Sequence, residues 1–273
     1  MNMYGKAPYG AFVPTRNTEV LARLLISFNP RLHMTNQHTN YMNMNILYLH
    51  GMGGGATSRM PVRLKQVLSN MHFTKDGEPC KLNVVCKTYN FDPEIATNQV
   101  AEWIETYRPA LVMSESMGAI HALGIQGVPH IWISPALNYD RGAELLLPLV
   151  SLSNMLGHTY TQQRGANRQE IRGDHELVAK FAPMIRSYKE AIVNTQRDPS
   201  YAFFGSKDPY MKTGIVSIQE YQRLYGDSYE VYDGGHCLDV RQIRPKLLPK
   251  IVEMLGLEEV KPTPRRKKNY VKN

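Results

Sequence analysis

The 273-residue sequence lacks several features that would assign it to a class at once. No apolar run approaches the roughly 20 residues that a membrane-spanning helix needs. Its first residues lack the basic patch followed by an apolar stretch that is typical of a secretory signal. It has only three cysteines, Cys80, Cys86 and Cys237, and their spacing fits neither a disulfide framework nor a metal site. We therefore expect a cytoplasmic protein with reduced thiols, no membrane partner and no metal.

Acidic residues are scarce, with 24 against 32 Lys and Arg, which gives a formal net charge of +8. Half of that excess lies in residues 257–273, a Pro-containing segment with six basic and two acidic side chains. A basic tail of this kind is usually solvated. Nucleic-acid binding through it is an alternative that we do not expect.

The two ends of the chain differ from its middle. Residues 1–43 are rich in Asn, Met, Thr and His and carry one short amphipathic stretch at 19–28. We interpret them as a poorly structured appendage; a targeting peptide, or a true start at Met42 or Met44, are alternatives. Residues 44–256 are predicted to form the folded domain, followed by the basic tail.

From residue 44 onward, short apolar runs alternate with segments of helical length. The runs predict six strands, at residues 46–49, 82–86, 111–113, 131–133, 201–204 and 229–232. This alternation is typical of an α/β fold in which helices cover both faces of a mostly parallel sheet.

Helices are predicted at three places between and after these strands. One occupies residues 61–70 with Val62 on its apolar face, and a second follows Asp92-Pro93 and buries Ile95. A third begins near Pro245 and ends at Gly256. Residues 137–198 hold no clear strand and are too long for a plain connection. We expect them to form helices that cap one end of the sheet, with apolar residues such as Leu145 and Leu149 buried; this segment is called the cap insertion below.

The third predicted strand is followed by Ser114-Glu115-Ser116-Met117-Gly118 and then a helical segment. A tight turn between a strand and a helix can expose a serine hydroxyl as a nucleophile, provided that the residues two before and two after it are small. Ser114 and Gly118 meet that condition. The alternative is that Ser116 only caps a helix.

The first predicted strand is followed by a glycine-rich loop, residues 50–55. Its backbone amides, together with the amide after the nucleophile, are suited to hold the oxyanion of a tetrahedral intermediate. A phosphate-binding loop is the alternative, but Ala56 stands where the third glycine of the nucleotide fingerprint could fall, and no acid follows at the required distance.

Two further strands end in residues that suit acyl transfer. Asp208 follows the fifth strand and can orient a histidine, although a turn residue before Pro209 is the simpler interpretation. His236 follows the sixth strand in a glycine-bracketed loop, where its imidazole can act as a general base. The chain order of Ser116, Asp208 and His236 is that of α/β-hydrolases.

On these motifs the sequence resembles the α/β-hydrolase superfamily, and within it the small bacterial esterases of the YqiA type. The similar segments are residues 46–51, 133–136, 160–163 and 234–236, and the resemblance covers roughly residues 44–257. It implies an α/β-hydrolase fold and hydrolysis of short-chain carboxylic esters, or thioesters, without a cofactor.

The resemblance also implies roles for single residues. Ser116, Asp208 and His236 would be catalytic, and the amides of Met52 and Met117 would be the oxyanion donors. The chain departs from the family's pattern at Ser114, where a glycine is usual, and in the run of three glycines at 53–55. These departures leave the acyl and alcohol groups of the substrate open.

Two other functions remain alternatives at this point. The same triad could transfer the acyl group to a nucleophile other than water. A protein with this fold could also be a catalytically silent binding protein, because a fold alone does not determine a function.

Overall fold

The computed structural model describes residues 41–260, which form an eight-stranded sheet and a separate two-stranded hairpin. Residues 1–40 and 261–273, and with them most of the predicted appendage and basic tail, lie outside the described residues. The strands are β1 (Met42–Leu49), β2 (Phe73–Lys75), β3 (Glu78–Val85), β4 (Leu111–Glu115), β5 (His130–Ile133), β6 (Tyr160–Gln162), β7 (Ile171–Gly173), β8 (Ser200–Gly205), β9 (Tyr229–Tyr232) and β10 (Glu258–Glu259).

The large sheet has the strand order β10-β2-β3-β1-β4-β5-β8-β9. In that order, the six neighbouring strands β3, β1, β4, β5, β8 and β9 pair in parallel, whereas β2 is antiparallel to both β3 and β10. All six predicted strands are present as parallel strands of this sheet. The loops that follow β1, β4, β8 and β9 therefore leave from one edge, where ligands bind in open α/β sheets.

Helices lie on both faces of the sheet. They are α1 (Arg59–Leu68), α2 (Pro93–Tyr107), α3 (Gly118–Ala122), α4 (Tyr139–Met155), α5 (His175–Ala179), α6 (Phe181–Val193), α7 (Pro209–Lys212), α8 (Ile218–Tyr225) and α9 (Leu248–Leu255). Alternate residues of β1 point to opposite faces, so Leu47 packs in the core that includes α2, α3, α6 and α8. Ile46 packs in the second core, with α1 and α9. The predicted α/β class is thereby confirmed.

Several predicted details are wrong. Val62 on α1 and Ile95 on α2 are exposed, at 40% and 46%, because each helix turns another stripe towards the sheet. The helix predicted from Pro245 is preceded by a 3-10 turn (Val240–Gln242) and a π-helical turn (Ile243–Leu247), and α9 starts only at Leu248.

The sheet extends beyond both boundaries predicted at residues 44 and 256. β1 begins at Met42, and β10 pairs with β2 beyond Gly256, where Glu258 lies opposite Thr74. The start of the segment predicted as a tail thus adds an edge strand.

The cap insertion contains α4, α5 and α6, as expected, and also the β6–β7 hairpin, which was not predicted. Its apolar residues are not buried as expected: Leu145 is 80% exposed and Leu149 66%. Pro148 lies inside α4. Among residues 41–260, no helix is both long and apolar enough to cross a lipid bilayer.

Candidate active site

Ser116 occupies the turn between β4 and α3. Its φ is +53°, in the left-handed region that residues other than glycine rarely adopt. The turn is held on both sides, because the Ser116 amide donates to the Ile133 carbonyl at 3.0 Å and its own carbonyl accepts from Ala136 at 3.0 Å. Strained conformations of this kind persist where the surroundings fix them, and a strand-turn-helix serine is one such place.

The turn packs tightly against the end of β1, and two glycines make this possible. A Cβ atom on Gly118 would lie 2.2 Å from the Leu49 carbonyl oxygen, and one on Gly51 would lie 3.1 Å from the Ser116 Cβ. Ser114, which stands where a glycine is usual, is only 1% exposed. The requirement for small residues around Ser116 is therefore strictest at Gly118.

Asp208 and His236 form a hydrogen-bonded pair at the ends of β8 and β9. The His236 Nδ1 lies 2.8 Å from the Asp208 Oδ2, and the Asp208 side chain is buried. The other carboxylate oxygen accepts from the Tyr210 amide at 2.9 Å, as the N-cap of α7. When Nδ1 donates to the carboxylate, Nε2 is left as the basic nitrogen of the imidazole.

The loop that carries His236 is fixed against the end of β8. A Cβ atom on Gly205 would lie 2.0 Å from the Gly235 carbonyl oxygen, so glycine is needed there. The Tyr232 hydroxyl donates to the same carbonyl at 2.9 Å, and the Lys207 amide donates to the Gly234 carbonyl at 2.8 Å. The ring of Tyr210 meets the His236 ring edge-on, with centroids 4.6 Å apart.

Three amides of the glycine-rich loop after β1 are already hydrogen-bonded. Gly53 donates to the Gln169 side chain at 3.1 Å, Gly54 to the Gly51 carbonyl at 2.9 Å and Gly55 to the Ser58 hydroxyl at 2.9 Å. Among the residues that the structure describes, no acceptor is found for the amides of Met52 and Met117. Those two amides are the ones predicted as oxyanion donors.

A cavity of about 500 Å³ opens between these loops. Ser116, His236, Met52 and Glu115 line it, together with Arg59 from α1 and Arg164 and Arg168 from the cap insertion. Asp208 does not line the cavity, since it lies behind His236. The structure thus brings Ser116 and His236 to one cavity, with Asp208 holding the histidine.

Cys237 also lines this cavity, beside His236. Partial desolvation of its thiol and the neighbouring Glu115 carboxylate raise the pKa of Cys237 to about 12. The thiol is therefore protonated at neutral pH and does not supply a thiolate nucleophile. Glu115 itself accepts a hydrogen bond from the Tyr48 hydroxyl at 2.8 Å.

No protein-family profile and no curated protein sequence matches the chain. Solved structures do. The chain is similar to Est1E from Butyrivibrio proteoclasticus, solved with ferulic acid bound, at 11% identity and a TM-score of 0.50, covering 78% of this chain and 90% of that one. It is also similar to an extracellular α/β-hydrolase from a Paenibacillus species, at 13% identity and a TM-score of 0.49, covering 77% and 98%.

This chain has the α/β-hydrolase fold. The parallel strand order and the Ser116 turn at the carboxyl edge agree with that assignment. The narrower resemblance to YqiA-type esterases stays a prediction.

Other residues of the candidate site were not predicted from the sequence. Gln169, 4% exposed, accepts from the Gly53 amide and donates to the Asn90 carbonyl at 3.2 Å. Arg168 donates to the Ser58 hydroxyl at 2.8 Å. Both lie in the stretch between β6 and β7, which has no apolar periodicity and no motif, so the sequence carries no signal for these contacts.

A buried aromatic cluster lies at the start of the glycine-rich loop. The ring of His50 stacks on that of Tyr89, with centroids 4.1 Å apart and nearly parallel planes, and Tyr89 meets His121 edge-on at 4.8 Å. Desolvation lowers the pKa of His50 to about 4 and that of His121 to about 3. Both are therefore neutral at neutral pH and act as packing residues there.

Proposed function

We propose that this protein is a serine hydrolase that cleaves carboxylic esters, or thioesters, through an acyl-enzyme intermediate. The observation that carries the proposal is that Ser116, in its left-handed turn, and His236, held by Asp208, line the same cavity. A serine hydroxyl needs a nearby base to become an effective nucleophile, and that base needs a third group to fix its tautomer.

In the proposed mechanism, the His236 Nε2 takes the Ser116 proton as the hydroxyl oxygen attacks the carbonyl carbon of the ester. Asp208 stabilises the imidazolium that forms. The proton then passes from His236 to the leaving alcohol or thiol as the bond to the acyl carbon breaks. Water, activated by His236, repeats the attack on the acyl-enzyme and releases the acid.

The free amides of Met52 and Met117 support a place for the oxyanion of the tetrahedral intermediate. Each lies next to a residue of the site, Gly51 or Ser116, and neither is used by the described chain. Removal of one such donor has cost roughly 2.7–4 kcal/mol of transition-state stabilisation in a serine protease.

Fluorophosphonate labelling with an intact-mass readout tests the proposal. We expect the wild-type protein to gain one adduct, and the Ser116→Ala variant to gain none, because an activated serine reacts where an ordinary hydroxyl does not. Ser187→Ala, on the exposed face of α6, is the matched control and should label like the wild type. A folded wild-type protein that does not label would contradict the proposal and favour a silent binding protein. Product analysis with an added alcohol or amine separates hydrolysis from acyl transfer.

A further inference from the structure

The cavity beside Ser116 is lined by three arginines, Arg59, Arg164 and Arg168. Among residues 41–260, none of the three has a carboxylate oxygen within 4.0 Å. The rest of the sequence holds one acidic side chain, Glu19. A guanidinium is a fork of donors that suits carboxylates and phosphates, and three of them around one cavity give it a positive potential.

Two carboxylates, Asp239 and Glu115, line the same cavity. Asp239 is held by Arg241, with the Arg241 Nε 3.0 Å from one carboxylate oxygen and the Nη2 3.2 Å from the other. Glu115 accepts from the buried Tyr48 hydroxyl at 2.8 Å. Asp239 also attracts Arg59, and Glu115 keeps its charge, but Arg241 already compensates Asp239. Three arginines against these two carboxylates leave the cavity with a net positive charge for a ligand.

Arg168 is positioned by its neighbours. Its Nη1 donates to the Ser58 hydroxyl at 2.8 Å, and the amide of the next residue, Gln169, donates to the Gly54 carbonyl at 2.7 Å. Gly55 allows a close approach, because a Cβ atom there would lie 2.2 Å from the Asn167 carbonyl oxygen. The guanidinium is therefore fixed beside the glycine-rich loop, within the cavity that Ser116 lines.

We propose that the active-site cavity selects substrates that carry an anionic group, a carboxylate or a phosphate, close to the scissile ester, and that Arg164 and Arg168 bind that group. This inference rests on the proposed function and names the substrate class of the same site. Neutral short-chain esters would still react, since the triad does not involve the arginines, but with a lower kcat/KM.

Two pairs of esters test the inference on the full-length protein. In the first pair the acyl group carries the charge: 4-nitrophenyl hemisuccinate is compared with 4-nitrophenyl pentanoate. In the second the alcohol carries it: 4-acetoxybenzoate is compared with its methyl ester. The readout is the ratio of kcat/KM for the anionic over the neutral ester, which does not change when a variant folds less completely.

We expect the wild-type ratio to exceed that of the Arg164→Gln, Arg168→Gln double variant by about tenfold or more in at least one pair, as for the loss of hydrogen bonds to a charged group. The ratio should also fall with added salt. Arg172→Gln is the matched control, because Arg172 lies on β7 of the same hairpin but outside the cavity. Inorganic phosphate and acetate are added separately as inhibitors of neutral-ester hydrolysis, and their inhibition constants show which of the two anions the cavity binds more tightly.

A ratio that is the same in the wild type and the double variant for both pairs overturns the inference but leaves the proposed function standing. A wild-type protein that hydrolyses none of the four esters and does not label with fluorophosphonate overturns both. Equal losses in Arg172→Gln and in the double variant would mean that general surface charge, rather than the cavity, sets the preference, and would also overturn the inference.

Discussion

At the scale of single residues, Asp208 is the group that holds the proposed base, His236, in place. It accepts two hydrogen bonds at once, one from His236 and one from the Tyr210 amide that starts α7. Asn can still cap the helix with its side-chain oxygen, but it cannot hold the imidazole in the same tautomer with a negative charge.

We therefore expect Asp208→Asn to lower kcat on a nitrophenyl ester by about three to four orders of magnitude, as the equivalent change does in a serine protease. Stability should change little. Asp174→Asn is a matched control, because Asp174 caps α5 in the same way but lies outside the site. Steady-state kinetics and urea denaturation of the two variants check this. If Asp208→Asn lowered the free energy of unfolding enough to leave the protein mostly unfolded in the assay, Asp208 would have a structural role only.

Single residues of the site differ in how far the sequence reveals them. Ser116, Asp208 and His236 follow strands that are themselves recognisable, so their common edge of the sheet could be predicted. Gln169 could not, because it contacts Gly53 across 116 residues of chain and lies in a stretch without a pattern. Long-range polar contacts depend on how elements pack, and a local sequence does not encode that.

At the scale of elements, the cap insertion supports the glycine-rich loop. Gln169 binds the Gly53 amide with its side chain and the Gly54 carbonyl with its backbone, while Thr88 binds the Asn167 carbonyl at 2.9 Å. The loop that is expected to hold the oxyanion is therefore shaped by a segment far away in the chain.

We expect Gln169→Met to cost about 1–3 kcal/mol of stability, since it leaves the buried Gly53 amide without a partner. It should also lower kcat by about tenfold or more while KM changes less, because the displaced loop weakens oxyanion binding rather than ground-state binding. Asn167→Ala serves as the control, as only the backbone carbonyl of Asn167 makes the contacts found. A change in KM alone would contradict a role for this contact in the chemical step.

Strands could be predicted where the sequence holds an uninterrupted run of apolar residues. The strands that became β4 and β5 are continuous apolar runs that are buried on both faces. β2, β6 and β7 are three residues long each, and in β6 and β7 only Ile171 is buried, so no apolar run marks them. Val62 and Ile95 show the converse, since an apolar residue on an amphipathic helix is not always on its buried face.

For the whole molecule, buried histidines set a limit on acid stability. Desolvation lowers the pKa of His50, His121 and His130 to about 4, 3 and 4. In the unfolded chain each would titrate near 6.5, so below that pH the unfolded state binds more protons and is favoured. Stability is therefore complete above pH 6.5 and is lost progressively as the pH falls towards 4.

We expect the free energy of unfolding to fall by about 4 kcal/mol between pH 7.5 and pH 5.5, roughly 1.4 kcal/mol for each of the three histidines. Glu220, whose pKa is lowered to about 2 by its hydrogen bonds with Arg223 and Lys189, contributes only below pH 4.5 and does not interfere. Urea denaturation at both pH values measures the change. His121→Gln should reduce the difference by about a third. Equal stability at the two pH values would show that these histidines are not held neutral.

The cap insertion leaves the sheet after β5 and returns at β8, and these two strands are immediate neighbours that pair in parallel. The insertion leaves at the carboxyl end of β5, and its last helix, α6, packs in the core and leads back to the amino end of β8. The part before α6 can therefore vary in length without any strand changing its place. Ser116 and His236 come from outside this segment, whereas Arg164 and Arg168 come from within it. Selection for a new substrate could thus act on side chains of the insertion that line the cavity, such as these two arginines, and leave the nucleophile and its base as they are.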